Sequence, residues 1–131
     1  MTVDPTIEAY LEEPHFGVLA TINRDGTSQQ TLMWYALVGH EIVMNTAAGR
    51  RKHRNIDARP EVSLCVVDGR RYVTIQGRAR GEADDPGLHR QICERYVTPA
   101  EMDRLFAETY THQDRRTIRM TVDTIIDGRD V

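Results

Sequence analysis

Lysine is almost missing from this chain: of 17 basic side chains one, Lys52, is lysine and the rest are arginine. Cysteine is scarce too. Cys65 and Cys93 are too few for a disulfide framework, and neither belongs to a C-x-x-C pair. Cys65 lies within the apolar run Val62–Val67, which predicts a buried, inert thiol. No apolar run approaches the roughly 20 residues that span a bilayer. The opening residues, MTVDPTIEAYLEEP, are acidic and lack the basic and apolar regions of a signal peptide. The expectation is a cytoplasmic protein with no membrane partner. A net charge of -3 disfavours general nucleic-acid binding while leaving room for a local basic site.

The standard catalytic equipment is absent as well. His15, His40, His53, His89 and His112 are scattered without ligand spacing, so no metal site is expected. No G-x-S-x-G elbow, Walker-type loop or G-x-G-x-x-G run occurs.

What is present reads as one α+β domain over residues 1–131. Ile7, Tyr10 and Leu11 recur at helical spacing near residues 4–13. Phe16–Ile22 predicts a strand, and Asp25-Gly26 a hairpin turn into a second strand from Ser28 to Val38. Gly39-His40 turns the chain into a third strand, Glu41–Thr46. A short helix carrying Ile56 inward stops before Pro60. Strands over Glu61–Val67 and Arg71–Arg80 flank a turn at Asp68-Gly69. Asp85-Pro86 and Thr98-Pro99-Ala100-Glu101 are helix starts, and Thr117–Val122 alternates as a last strand. Six or so strands, mostly in hairpins, suggest a closed or nearly closed, Greek-key-like antiparallel barrel with peripheral helices.

Two stretches bear on chemistry. Gly49-Arg50-Arg51-Lys52-His53-Arg54-Asn55 concentrates cations where a helix follows a strand. Backbone N–H groups at a helix start favour an anion, arginine suits bidentate phosphate contacts, and Thr46 offers a hydroxyl. This reads either as a pocket for a small phosphate ligand or as a solvated charged turn, with His53 an exposed helix residue. In Gln29-Gln30-Thr31-Leu32-Met33-Trp34-Tyr35, alternation puts Gln30, Leu32 and Trp34 on one face and Gln29, Thr31, Met33 and Tyr35 on the other. Either face suits a planar heteroaromatic ring; equally, Met33 and Trp34 are core residues.

In order and spacing, these pieces resemble the pyridoxamine 5′-phosphate oxidase-like split β-barrel flavin family, and most of all its branch of deazaflavin (coenzyme F-420)-dependent reductases. The resemblance spans about residues 10–126. It rests on the G-V-L-A-T strand, the D-G hairpin, the strand ending in W-Y, the R-K-x-R-N-I run before D-x-R-P-x-V-S-L, and the Y-V-x-I-x-G-R-A strand from Tyr72 to Ala79. It implies a homodimeric split barrel with a coenzyme at the subunit interface. Arg51 and Lys52 would bind its phosphate, helped by Arg50, Thr46 and Asn45. Gln30, Thr31, Leu32 and Met33 would run beside the tricyclic ring, and Tyr72 would approach from the partner subunit. The implied coenzyme is F-420, with FMN the alternative; Arg50, Arg54, Arg70 and Arg71 are candidates for the carboxylate tail that F-420 carries. The implied reaction is hydride transfer from reduced coenzyme to an electron-poor small molecule. The alternatives are an FMN oxidoreductase and a non-catalytic flavin or tetrapyrrole carrier. No protein residue is implied as catalyst, since the coenzyme carries the chemistry. The terminus, Ile125-Ile126-Asp127-Gly128-Arg129-Asp130-Val131, lacks the R-x-H-like motif of the oxidases proper, so vitamin B6 oxidation is not implied.

Overall fold

The computed structural model of the chain describes residues 3–130. The first helix, α1 (Pro5–Glu12), is capped by Asp4, whose side chain accepts from Thr6 N, and buries Ile7, Tyr10 and Leu11. Strands β1 (Phe16–Ile22) and β2 (Ser28–Met33) form the expected hairpin. The second strand does not continue to Val38. Tyr35 turns its ring into the core, where its hydroxyl donates to Leu11 O at 2.7 Å, and its backbone N–H donates to the Tyr96 hydroxyl at 3.3 Å. The chain therefore leaves one sheet at Trp34 and enters another as β3 (Ala36–Val38), paired with β4 (Glu41–Ala47).

After α2 (Arg51–Ala58) come β5 (Glu61–Asp68) and the long β6 (Arg71–Ala83). Two capped helices, α3 (Pro86–Cys93) and α4 (Pro99–Glu108), and a 3-10 turn at Tyr110–His112 lead to β7 (Arg115–Thr121) and β8 (Thr124–Gly128). The Thr98 side chain accepts from Glu101 N, as its sequence pattern predicts. The eight strands form an antiparallel split barrel in the order β2-β1-β5-β6-β7-β4-β3, with β8 added on β6.

The barrel depends on β6 serving two sheets. Tyr72–Gln76 pair with β5 and β8, whereas Ala79–Ala83 pair with β7. Gly77 sits at the change-over, where a Cβ would lie 1.9 Å from Thr121 O, so no side chain fits. Leu19, Leu64, Val73, Ile75, Met44 and Met120 fill the interior from both sheets.

Cys65 and His53 depart from the sequence reading. Cys65 is partly exposed, because it follows the outward phase of β5, opposite Val18 and Thr74. His53 is half-buried rather than exposed. Its ring rests against Gly81, and its Nδ1 accepts from Gly49 N at 3.2 Å.

Candidate functional site

The helix start in GRRKHRN is real, and its period splits the cations between two flanks. Gly49 takes a φ of +80°, which turns the chain out of β4 and into α2. Arg50 is the N-cap residue but makes no side-chain cap, so the first backbone N–H groups of α2 are left without a side-chain acceptor. Lys52, Asn55 and Ile56 face inward. Asn55 fixes the helix by donating to Thr21 Oγ1 and Asn23 Oδ1 at 3.1 and 3.0 Å. Arg51 and Arg54 face out.

On the inner flank, Arg50 and Lys52 line a cavity of about 300 Å³. The end of β2 supplies Thr31, Leu32 and Met33, the residue after it supplies Trp34, and β4 supplies Asn45, Thr46 and Ala47. The far wall comes from the C-terminal half: His89, Ile92 and Cys93 on α3, then Tyr110 and Arg115. Three cations line the cavity, and what sets them apart is that they share it. Arg71, Arg78, Arg80, Arg90, Arg119 and Arg129 each meet a carboxylate. Arg50, Lys52 and Arg115 meet none among the described residues. Asp84 lies near Arg115 but accepts from Asn45 Nδ2, at 3.0 Å.

Burial lowers the Lys52 pKa, and the neighbouring Arg50 and Arg115 charges lower it further. Burial also lowers that of Arg115. A cavity that desolvates cations without pairing them favours an anionic occupant. Thr46 adds a second sign: its hydroxyl is buried, with no hydrogen-bond partner among the described residues. An unmet buried hydroxyl is costly, and an acceptor entering the cavity would satisfy it.

The remaining wall is apolar and aromatic. His89 stacks at a tilt between Phe106 and Tyr110, with ring centroids 4.9 and 4.4 Å away. Burial, then the Arg115 charge, pulls its pKa down to about 4, so it is neutral at pH 7. Burial pushes the Cys93 thiol up to about 11, which leaves it a packing group rather than a nucleophile. Among the described residues no group of three His, Cys, Asp or Glu side chains is placed to hold a metal ion.

Of the residues that the resemblance marks, Thr31, Leu32, Met33, Asn45, Thr46, Arg50 and Lys52 come together in this cavity. Gln30, Arg51 and Tyr72 do not line it. Arg51 lines a separate hollow on the other flank of α2, with Arg24, Arg54, Arg59 and the carboxylate of Asp25. Gln30 is exposed on the outer face of the sheet. Tyr72 lies on that same face, its ring over Gly128, where a Cβ would come within 2.3 Å of Cζ. Sequence reasoning missed the far wall altogether. Arg115 enters because it pairs with Ala47 across β7 and β4, a contact that no local pattern announces.

The outer sheet face has a character of its own. The register Phe16↔Val67↔Tyr72↔Gly128 and Leu32↔Val18↔Cys65↔Thr74↔Ile126 lays these side chains in adjacent rows. Phe16, Leu32, Val67 and Ile126, exposed by 50, 63, 38 and 47%, all lie there. Leu32 belongs both to this face and to the cavity rim, so the cavity opens beside the apolar patch. No helix among the described residues is long and apolar enough to cross a membrane.

Comparison with known proteins agrees with this architecture. No curated protein matches the sequence. A solved F420 reductase is 30% identical, with 95% of this chain and 98% of that one covered at a TM-score of 0.75. The conserved hypothetical protein Rv2991 from Mycobacterium tuberculosis is 28% identical over 98% of this chain and 87% of its own, at a TM-score of 0.76. HutZ, the heme storage protein from Vibrio cholerae, shares the fold at 17% identity, covering 97% and 95% of the two chains with a TM-score of 0.73. The family model for pyridoxamine 5′-phosphate oxidase matches residues 3–127, and the chain belongs to that split-barrel family.

Proposed function

We propose that this protein is a coenzyme F-420-dependent reductase, active as a homodimer on an electron-poor small molecule. The observation that carries this reading is the cavity holding Arg50, Lys52 and Arg115 without a carboxylate, beside the unmet Thr46 hydroxyl and the open start of α2. That donor set fits a phosphate. The similarity to an F420 reductase over nearly the whole of both chains supports the choice of coenzyme.

In this reading Lys52 is a point charge on the phosphate, Arg50 closes over it at the cavity mouth, and Thr46 and Asn45 are its polar neighbours. Thr31, Leu32 and Met33 run beside the ring, with Gln30 on the outer side of the same strand. Arg51, with Arg54, Arg24 and Arg59, is turned toward the carboxylates of the coenzyme's tail rather than its phosphate. When bound, the reduced coenzyme supplies the hydride; the protein binds, orients and excludes water. A second copy on the outer sheet face would cover Phe16, Leu32, Val67 and Ile126. It would also carry its own Tyr72 to the region where the cavity opens. An exposed apolar patch of this kind marks an interaction surface.

Fluorescence titration of the purified protein with oxidised F-420 tests the reading. Saturable binding with one coenzyme per chain is expected. Tight FMN binding with no F-420 binding would transfer the site to the flavin. Turnover separates a reductase from a carrier: reduced coenzyme should be consumed in the presence of an activated enone or quinone. Binding without consumption across such a panel would favour the carrier.

A further inference from the structure

Arg115 opens β7 on the C-terminal side of the cavity, facing the α2 cations across it, and its own contacts hold it in one pose. Nε donates to Asn45 Oδ1 at 2.8 Å and Nη1 donates to Gln113 Oε1 at 2.7 Å. The guanidinium carbon stands 4.8 Å from the centroid of the Tyr110 ring. Asn45 is itself oriented, because its Nδ2 donates to Asp84 Oδ1 at 3.0 Å, which leaves its oxygen for Arg115. All of Arg115's hydrogen-bond acceptors are neutral amides. The guanidinium is thus fixed in place without an ion pair, and of its five N–H donors three remain for another partner. Of the other partly buried arginines, Arg90, Arg119 and Arg129 meet carboxylates and Arg95 donates to the carbonyls of Leu11, Glu12 and Glu13; none of them shares a cavity with the buried lysine. An amide-held, half-buried arginine beside an unpaired buried lysine is prepared for an acceptor with two oxygens.

We propose that Arg115 is a phosphate-binding residue of this site, gripping the anion bidentately from β7 while Lys52 and Arg50 hold it from α2, with Asn45 and Gln113 as its positioning residues. This rests on the reading of the cavity as a phosphate pocket. It makes the pocket a clamp between two halves of the chain far apart in sequence. Discrimination for the phosphate then requires the C-terminal strand as well as the basic helix start.

The test compares the deazaflavin core carrying its ribityl phosphate but no tail with the same core lacking the phosphate, titrated by calorimetry into the full-length protein and its variants. Wild type should prefer the phosphorylated ligand. Arg115→Gln should lower that preference about tenfold or more, leave affinity for the core within about twofold, and be partly rescued by Arg115→Lys. An Arg115→Gln protein that keeps the wild-type preference overturns the proposal. So does one that loses both ligands equally together with thermal stability, because that marks Arg115 as a packing residue. Lys52→Ala distinguishes the two levels of the claim. If it abolishes the preference while Arg115→Gln does not, the pocket reading stands and the clamp falls. If neither variant changes the preference, the phosphate lies outside this cavity and both fail.

Discussion

Arg51 and Lys52 are neighbours in sequence with the same charge, and the fold treats them oppositely. Lys52 is 8% exposed in a cavity with no carboxylate partner, whereas Arg51 is in solvent beside Arg24, Arg54 and Arg59. One residue along α2 is a rotation of about 100°, enough to move a side chain from the core-facing flank to the outer one. Exposed cations need no explanation, since water pays their solvation. A buried, unpaired lysine costs stability in the empty protein, and an anionic ligand is what would repay it. In the proposed reading, the contrast separates the half of the basic cluster that would hold the phosphate from the half that would meet the coenzyme's tail.

Substitutions on the two flanks should break along that line. Lys52→Ala is expected to weaken coenzyme binding by about 1.5–3 kcal/mol, the range for a hydrogen bond to a charged group; a titration reads this directly. Lys52→Met should do the same while raising the unfolding midpoint of the ligand-free protein by a few degrees, equivalent to about 1 kcal/mol. A drop in that midpoint would mean that the lysine is structural. If a second copy covers the apolar face as proposed, wild type should run as a dimer in light scattering and Leu32→Arg with Ile126→Arg as a monomer, since two charges would be placed against the partner surface. Unchanged mass would move the interface elsewhere.

A smaller effect is expected from His89. Its folded pKa of about 4 lies below the 6.5 of a free imidazole, so the unfolded chain takes up more protons between those values. Stability should fall as pH drops from about 6.5 toward about 4, then level off with respect to this group. His89→Phe should flatten that part of the profile in thermal melts. Arg51→Ala is the smallest: a few-fold loss for the full coenzyme, disappearing at high salt, and none for the tail-less core.

Much of this was legible in sequence wherever the signal was local. Asp85 and Thr98 cap helices as their types predict, and alternation in β2 separates exposed Gln30 and Leu32 from buried Met33. Strand β8 escaped because Thr-Ile-Ile-Asp-Gly is too short to carry a pattern of its own; its pairing with Tyr72–Gln76 makes it a strand. The cavity's far wall escaped for the same reason. Arg115 is brought to Lys52 by the β4–β7 ladder, and Cys93 and His89 by the packing of α3 on β4, none of which is written within a short window. Helical period with Ile56 as the inward marker separates Arg51 from Lys52, which the resemblance groups together.

The most direct test of the Lys52-centred site uses Trp34, the sole tryptophan, which lines the cavity. Its fluorescence should be quenched saturably by F-420 in wild type and in Arg51→Ala, with the midpoint shifted tenfold or more to weaker binding in Lys52→Ala. Equal midpoints in all three proteins would contradict the account.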